Sequence, residues 1–244
     1  MKQLLPVLLA GMFVSGCATL PPGDPVDYDP WEKMNRRVYS FNVAVDNASL
    51  KPIAKGYGKV VPEPVRKSVS NFFGNLGAPR NIVNNVLQGK PRDGLGELVR
   101  FVVNTTIGVG GLFDVAALSG LEARPEGFGQ TAAVWGIPSG PYIMVPLLGP
   151  LTVRDAILMP ANIEFDLLHH VDDTSVRDPL WVLRTINLRH RVLPLEDLLQ
   201  ESKDPYITLR ETYLQNREFE AYDGDPPQAD EDEIYDEFLE EEDY

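Results

Sequence analysis

The chain has 244 residues, of which 43% are hydrophobic, and a formal net charge of −14. This length allows one large domain or two small ones, and the apolar fraction is enough for a core but too low for a polytopic membrane protein. Residues 223–244 hold twelve acids and no Lys or Arg, so the other 222 residues carry a net charge of only −2. No basic stripe with interleaved aromatic residues is present, which argues against nucleic acid as a partner.

Residues 1–16 have the pattern of an export signal. Lys2 supplies a positive charge, Leu4–Val14 a short apolar run, and small residues precede Cys17. This end resembles the bacterial lipobox, in which the cysteine is acylated and becomes the new N-terminus. Cys17 is the one cysteine of the chain, so we expect it to carry a covalent lipid. Ala18 follows it, which by resemblance to bacterial sorting rules implies the periplasmic face of the outer membrane. An ordinary signal peptide is the alternative.

Residues 17–28 read as a linker rich in Pro and Asp, and residues 29–222 as a domain of amphipathic helices. Asp-Pro pairs beginning at Asp29, Asp178 and Asp204 have the chemistry of helix starts, because Asp caps the first turn and Pro suits its first position. Lys51–Pro64 predicts a turn-rich connection. After the first pair, apolar residues recur every three or four positions and predict one stripe: Trp31, Met34, Val38, Phe41, Val45 and Ala48.

The segment Leu95–Ile107 predicts a helix that is apolar around most of its circumference, with Arg100 the one charge after Glu97. Such a helix is buried centrally or contacts lipid. The sequence Gly-Val-Gly-Gly ends this helix. These glycines lack the spacing of a phosphate-binding loop and do not follow a strand, so we predict a hinge at Gly108, Gly110 and Gly111.

The stretch Gly127–Val153 has 27 residues without a charge, long enough to cross a bilayer. Four prolines and five glycines exclude a single helix. A turn at 138–141 between extended runs, Ala132–Ile137 and Tyr142–Val145, predicts a hairpin. Two interpretations remain open: a buried core hairpin, or an apolar element that contacts lipid while other segments satisfy its backbone.

Residues for catalysis or metal binding are few. The adjacent His169 and His170, near Asp172 and Asp173, fit no zinc-protease spacing and point apart. Ser139 lies in Pro-Ser-Gly-Pro and not in a nucleophile elbow. We therefore expect no enzyme, no metal and no cofactor. A lipid-anchored periplasmic hydrolase and a structural envelope lipoprotein are the alternatives.

From residue 223 to 244 the composition is dominated by acids and proline. Such a segment cannot bury enough apolar surface to offset its ordering entropy, so we predict a disordered acidic tail.

The sequence DPWEKMNRRVYSFN resembles the MlaA (VacJ) family of outer-membrane lipoproteins, and the resemblance continues through SNFFGNL, VNNVLQGKP, RFVVNTTIGVGGLFDVA, FGQT, GPYIMVPLLGPLTVRD and DPYITLRETY. It implies a ring in the inner leaflet of the outer membrane. A channel through the ring would let misplaced phospholipids leave the outer leaflet for a soluble periplasmic carrier, and the ring would lie beside a trimeric porin. The first block carries five signature residues: Asp29, Asn35, Arg36, Phe41 and Asn42.

Residues and resemblance together predict a mostly α fold, a ring-like or disc-like helical monotopic membrane domain with a short apolar hairpin. Phospholipid transfer needs an apolar rim for acyl chains and a polar route for the headgroup, because charge in hydrocarbon is costly. We expect five residues of the uncharged stretch to form the rim or gate: Val134, Ile137, Tyr142, Ile143 and Val145.

Overall fold

A computed structural model describes residues 28–226, except for the side chains of residues 197, 198 and 200. The predicted signal peptide, Cys17 and the part of the predicted acidic tail beyond residue 226 lie outside the described residues.

The described chain is mostly helical, as predicted, with a single two-stranded hairpin among residues 28–226. None of these helices combines the length and the apolar character needed to cross a bilayer. In chain order the elements are α1 (Glu32–Ala48), α2 (Leu50–Val60), α3 (Glu63–Leu76), α4 (Ala78–Leu87), α5 (Pro91–Thr106), α6 (Val115–Leu118), α7 (Phe128–Val134), β1 (Tyr142–Val145), β2 (Gly149–Thr152), α8 (Val153–Glu164), a 3-10 turn (Leu167–His170), α9 (Thr174–Val192), a 3-10 turn (Leu193–Leu195), α10 (Glu196–Glu201) and α11 (Pro205–Ala221).

The predicted helix starts are right at Asp204 and at Asp29, after which α1 begins at Glu32, and wrong at Asp178. Asp204 caps α11, accepting hydrogen bonds from the backbone N–H groups of Tyr206 and Ile207. Asp178-Pro179 lies inside α9, which begins at Thr174 under the cap of Asp173. Asp29 makes no cap, because its carboxylate is used in a buried ion pair with Arg210.

The connection predicted at Lys51–Pro64 is wrong, since most of it is helix α2. Pro52 falls in the first turn of α2, where a missing N–H costs nothing. Gly58 serves helix packing and not a turn. A Cβ there would lie 2.3 Å from the ring of His190 on α9, so only glycine lets the two helices approach this closely.

The hairpin exists, but its position differs from the prediction. Tyr142–Val145 is a strand, and its antiparallel partner is Gly149–Thr152, which follows it, with Tyr142 opposite Thr152. Ala132–Ile137 is not a strand, because α7 runs to Val134. The turn is supplied instead by residues 146–148. Leu147 has a φ of 64°, in the left-handed region that strains a non-glycine residue.

Helix α5 buries its polar face and exposes its apolar one. Glu97, Arg100 and Asn104 are buried, whereas Leu95 and Val102 are exposed. The same inversion holds across the described residues, where buried polar side chains outnumber buried apolar ones. The buried polar residues are Asp29, Asn35, Asn75, Asn81, Asn84, Asn85, Glu97, Arg100, Asn104, Glu126, Thr131, Thr152, Asp155, Asp166, Asn187 and Arg210.

An apolar cluster forms where α11 covers the hairpin. Tyr142, Met144 and Tyr206 are buried there, and the ring of Tyr142 packs edge-on against those of Tyr206 and Tyr213. Burial raises the pKa of the Tyr142 hydroxyl, so this phenol stays neutral. The cluster joins the two ends of the described chain to its middle.

Candidate functional site

A cavity of about 670 Å³ lies among α3, α4, α5 and α9. Most of its lining side chains are polar. They are Glu63, Arg66, Lys67, Ser70, Asn71, Asn75, Asn81, Glu97, Arg100, Asn104, Asp114, Asn187, His190 and Arg191. We call this space the polar cavity. A polar space inside a protein with an exposed apolar exterior is suited to a charged or strongly polar group shielded from hydrocarbon.

The α5 wall of the polar cavity is held by a continuous hydrogen-bond network. Glu97 accepts from the Asn81 side chain at 3.1 Å and from the backbone N–H of Arg124 at 2.7 Å. Arg100 donates to both carboxylate oxygens of Asp114, at 3.1 and 2.9 Å. Asn104 donates to Asp114 at 3.0 Å and accepts from the backbone N–H of Ala116. These side chains are therefore fixed in place, because each buried polar group has a partner.

The charge state of Asp114 follows from that network. Burial acts to raise its pKa, but the hydrogen bonds from Arg100, Asn104 and the backbone of Ala117 outweigh it and hold the pKa of Asp114 below the ordinary value. The carboxylate is ionised at neutral pH and neutralises Arg100.

The α9 wall joins three helices across the cavity. Asn187 donates to the Ser70 hydroxyl of α3 at 2.8 Å and accepts from the Tyr57 hydroxyl of α2 at 3.1 Å. His190 packs edge-on against Tyr57, and its Nδ1 has no hydrogen-bond partner among residues 28–226. This nitrogen is buried against Gly58 of α2.

One part of the lining is rich in unpaired cations. Lys67 on α3 and Arg191 on α9 make no ion pair within residues 28–226, and Arg66 donates to the carbonyl oxygens of Gly58 and Val61 and to no carboxylate. Glu63 is the acid on the same segment of α3. An anionic group such as a phosphate is thus favoured in this part of the cavity.

Residues 28–226 contain no cluster of three His, Cys, Asp or Glu positioned to hold a metal ion. His169 lies 3.7 Å from Glu164 and both are half-exposed. The His170 Nε2 atom is 2.7 Å from the Glu164 carbonyl oxygen.

The predicted hinge glycines lie in a tightly packed turn. A Cβ on Gly108 would lie 2.2 Å from the carbonyl oxygen of Phe113, and one on Gly111 would lie 2.4 Å from the Cβ of Asn75 in the cavity wall. Gly110 has a φ of 70° and open space around it. Close packing accounts for Gly108 and Gly111, and motion at this turn stays a prediction.

The predicted rim residues separate into two groups. Val134 and Ile137 are exposed, and Ile143 and Val145 are half-buried on one face of β1. Tyr142 is fully buried in the apolar cluster, a core position and not that of a rim residue. None of the five lines the polar cavity.

Two signature asparagines of α1 bind the hairpin as an extra strand would. Asn35 donates to the Tyr142 carbonyl at 3.1 Å and accepts from the Met144 N–H at 2.9 Å. Asn42 repeats the pattern, donating to the Val145 carbonyl at 3.0 Å and accepting from the Leu147 N–H at 2.8 Å. Seven residues of helix span about 10.5 Å and three residues of strand about 10 Å, so the two spacings match.

The other signature residues fix α1 to α11, with one exception. Asp29 accepts from Asn35 at 2.7 Å and pairs with Arg210 at 3.1 Å, with both charged side chains almost fully buried. Arg36 donates to both oxygens of Asp204. Phe41 is half-exposed. This block is therefore a structural clamp around the hairpin.

Sequence reasoning missed the residues that line the polar cavity. On α5 a signal existed, since Glu97, Arg100 and Asn104 recur every three or four positions on one face of an otherwise apolar helix. No pattern in the sequence pointed to Asn187 and Ser70, because these two residues, which bond to each other, are 117 positions apart in the chain.

The chain is similar to known proteins in sequence and in structure. The family model described as MlaA lipoprotein matches residues 27–220. The intermembrane phospholipid transport system lipoprotein MlaA of Escherichia coli is 36% identical over 231 residues, which cover 92% of this chain and 91% of that protein. The protein of the same name in Haemophilus influenzae is 31% identical, covering 91% and 92%. A solved structure, described as the structural basis for maintenance of bacterial outer membrane lipid asymmetry, matches with a TM-score of 0.71 at 36% identity and covers 79% of this chain and 98% of its own.

Proposed function

The chain belongs to the MlaA lipoprotein family, and from this premise we propose that it moves phospholipids out of the outer leaflet of the outer membrane through the polar cavity. The observation that carries the proposal is the inverted distribution of side chains, polar inside and apolar outside. In water such a protein would expose apolar surface at a cost of about 25 cal/mol per Å². In a membrane leaflet the same surface is favourable.

The exposed apolar side chains come from several elements, as expected for a body immersed in one leaflet. The turn of the hairpin contributes two leucines, 69% and 62% exposed. Large apolar residues at least 40% exposed include Leu95, Leu98, Val99 and Val102 on α5, Ile107 and Phe113 after it, Trp135 after α7, Ile157 on α8, and Val182 and Leu188 on α9.

The polar cavity would carry the headgroup while the acyl chains stay in hydrocarbon. Lys67 and Arg191 are exposed and make no ion pair within residues 28–226, so they offer positive charges for the phosphate. No bond is made or broken in this process, so no catalytic residue is assigned.

The remaining parts of the proposal come from the family resemblance and from the relatives. We propose that acylated Cys17 anchors the chain at the periplasmic face of the outer membrane, that a soluble periplasmic carrier receives the phospholipid, and that a trimeric porin adjoins the membrane-embedded body. The relatives in Escherichia coli and Haemophilus influenzae are intermembrane phospholipid transport system lipoproteins, which supports a role for this chain in moving phospholipid between membranes.

Filling the polar cavity tests the proposal. Gly74 lines the cavity on α3, and a Cβ there meets nothing within 4 Å, so Gly74→Trp places an indole in the space without a backbone clash. We expect normal folding and at least a tenfold loss of phospholipid removal, measured as outer-leaflet phospholipid accessible to a phospholipase added to cells. A tenfold loss corresponds to about 1.4 kcal/mol.

The matched control is Gly56→Trp on α2, where an added Cβ also meets nothing within 4 Å and which does not line the cavity. It should fold and transport normally. Undiminished removal of phospholipid by a folded Gly74→Trp chain would exclude the polar cavity as the route.

A further inference from the structure

A second cavity, of about 900 Å³, lies between α11 and the segment that follows α7. It shares no lining residue with the polar cavity. Residues 133–139, the start of α8 and one face of α11 form its walls, and Tyr28 and Tyr222 lie at the ends of the described chain beside it. This volume falls in the range of small-molecule sites.

Arg154 is the buried cation of this cavity and lacks a full set of partners. Its side chain is only 8% exposed. Nη1 donates to the Ile137 carbonyl at 2.9 Å, while Nε is buried and has no hydrogen-bond partner among residues 28–226. The Asp155 carboxylate lies 3.9 Å from Nε, beyond hydrogen-bond distance.

Asp155 offsets the charge of Arg154 only in part, because it makes no hydrogen bond to Nε and its carboxylate is shared with two other donors. Arg217 donates to both of its oxygens at 2.9 Å, and Tyr213 donates to one of them at 3.0 Å. Burial also lowers the pKa of Arg154, although an arginine remains protonated. A buried guanidinium with an unpaired N–H is costly unless an anionic group binds it.

The other charges of the lining leave one unpaired acid. Arg217 is used by Asp155, and Glu211 is paired with Arg210 at 2.7 Å. Glu218 is exposed and makes no ion pair within residues 28–226. The cavity therefore presents one guanidinium with an unpaired N–H and one carboxylate without an ion pair, which match a zwitterion.

The apolar part of the lining is supplied by residues predicted from the sequence to form a lipid rim. Val134 and Ile137 are 44% and 48% exposed at this cavity, and Pro138 and Leu214 adjoin them. An amphiphile could place its polar end on Arg154 and its chains over this edge.

We infer that the second cavity is a docking site for a zwitterionic glycerophospholipid, with the phosphate on Arg154, the amine towards Glu218 and the acyl chains over Val134 and Ile137. This inference rests on the proposed function, to which it adds a position occupied outside the polar cavity. It also gives a role to two rim residues that do not line that cavity.

The test measures protection of a single thiol in each cavity. Ser139→Cys places the thiol in the second cavity, and Gly74→Cys places one in the polar cavity. Each full chain, purified in an uncharged maltoside detergent, is labelled with a maleimide with and without dihexanoyl-phosphatidylethanolamine. The chain without an added cysteine gives the background. We expect the lipid to slow labelling at both positions.

Substitution of Arg154 separates the two cavities. In Arg154→Gln the lipid concentration that protects Ser139→Cys should rise about tenfold, the loss expected for one charge-assisted hydrogen bond. Arg154→Lys should retain part of the protection, and Gly74→Cys should be unaffected by either. Melting temperatures of the variants control for folding. Dihexanoyl-phosphatidylglycerol, which has no amine, should protect Ser139→Cys less well.

Four results would overturn the second site. Protection of Gly74→Cys alone would remove it and leave the proposed function standing, whereas protection at neither position would count against both. Equal protection by phosphatidylglycerol would refute a zwitterionic site. Slow labelling of Ser139→Cys without lipid, made fast by Arg154→Gln, would show that a segment of the chain itself occupies Arg154.

Discussion

At the scale of single residues, side-chain amides hold the backbone of the hairpin. Asn35 is fully buried and satisfies one carbonyl and one N–H of β1, while also donating to Asp29. Asn42 makes the equivalent pair of bonds where water has access. The amide of asparagine suits this position because it donates and accepts at once.

We expect Asn35→Ala to lower the free energy of unfolding by about 2–4 kcal/mol, because it leaves buried backbone groups unpaired at about 1–3 kcal/mol each. Asn42→Ala should cost about 1 kcal/mol or less, since water can replace the amide. Chemical unfolding in detergent measures both, and hydrogen exchange at the Met144 and Leu147 amides shows where protection is lost. Equal costs for the two variants would contradict this account.

Asp114 gives stability a dependence on pH. Its folded pKa lies below the unfolded value of 3.8, so its contribution is complete above about pH 4 and is lost as the pH falls through the folded pKa. Asp114→Asn keeps a capping side chain on α6 and removes the charge. The stability difference between wild type and variant should be constant from about pH 7 to 5 and shrink below about pH 4. A difference unchanged at pH 3 would refute the role of the Arg100 pair.

At the scale of elements, the hairpin turn keeps a strained apolar residue at its tip. Leu147 adopts a positive φ, which costs about 1–2 kcal/mol for a residue with a Cβ, and its side chain is exposed. Glycine would remove this strain. A leucine in this position is consistent with a side chain retained for contact with lipid.

We expect Leu147→Gly to raise the free energy of unfolding by about 0.5–1 kcal/mol, the relieved strain less the greater entropy of the unfolded glycine chain. The same substitution at Leu148, whose φ is not positive, should not stabilise. Both variants should bind liposomes less well, as measured by flotation. A Leu147→Gly chain that is no more stable than Leu148→Gly would argue against strain at this residue.

Periodicity predicted the helix α1 and the strand Tyr142–Val145, both of which are present in the structure. The predicted packing is right for the strand, which buries Tyr142 and Met144, and wrong for the α1 stripe, where Trp31, Met34 and Phe41 are exposed and the buried residue is Asn35. The partner of that strand was misplaced, because Pro138-Ser139-Gly140-Pro141 has the composition of a turn, whereas the actual turn at 146–148 contains two leucines. For α5 the sequence showed an apolar circumference, yet the bonds from Arg100 to Asp114 and from Asn81 to Glu97 decide which face is buried. Such bonds join helices, and spacing within one helix does not reveal them.

At the scale of the whole molecule, the proposed anchor at Cys17 lies outside the described fold. Cys17 precedes the described domain, and the exposed apolar surface of that domain would itself associate with a leaflet. Two membrane signals bind far more durably than one.

We expect Cys17→Ser to give unprocessed or mislocalised protein, because the residue that would be acylated is missing. Membrane fractionation and the mass of the mature N-terminus measure the effect. Partial membrane association through the apolar surface is compatible with this prediction. Protein found wholly in the outer membrane with an unaltered N-terminus would refute lipidation as the anchor.

The polar interior has a consequence for how this protein can change over evolution. In a soluble domain, interior positions exchange one aliphatic residue for another and exterior positions drift freely among polar ones. Here an aliphatic residue at Asn81 or Asn104 would remove one buried hydrogen bond from Glu97 or Asp114, and a larger polar residue would need space that a packed interior does not have. We expect the exterior to drift instead among Leu, Val, Ile and Phe. Substitution patterns across relatives should therefore be inverted, with invariant polar positions inside and freely exchanged aliphatic ones outside.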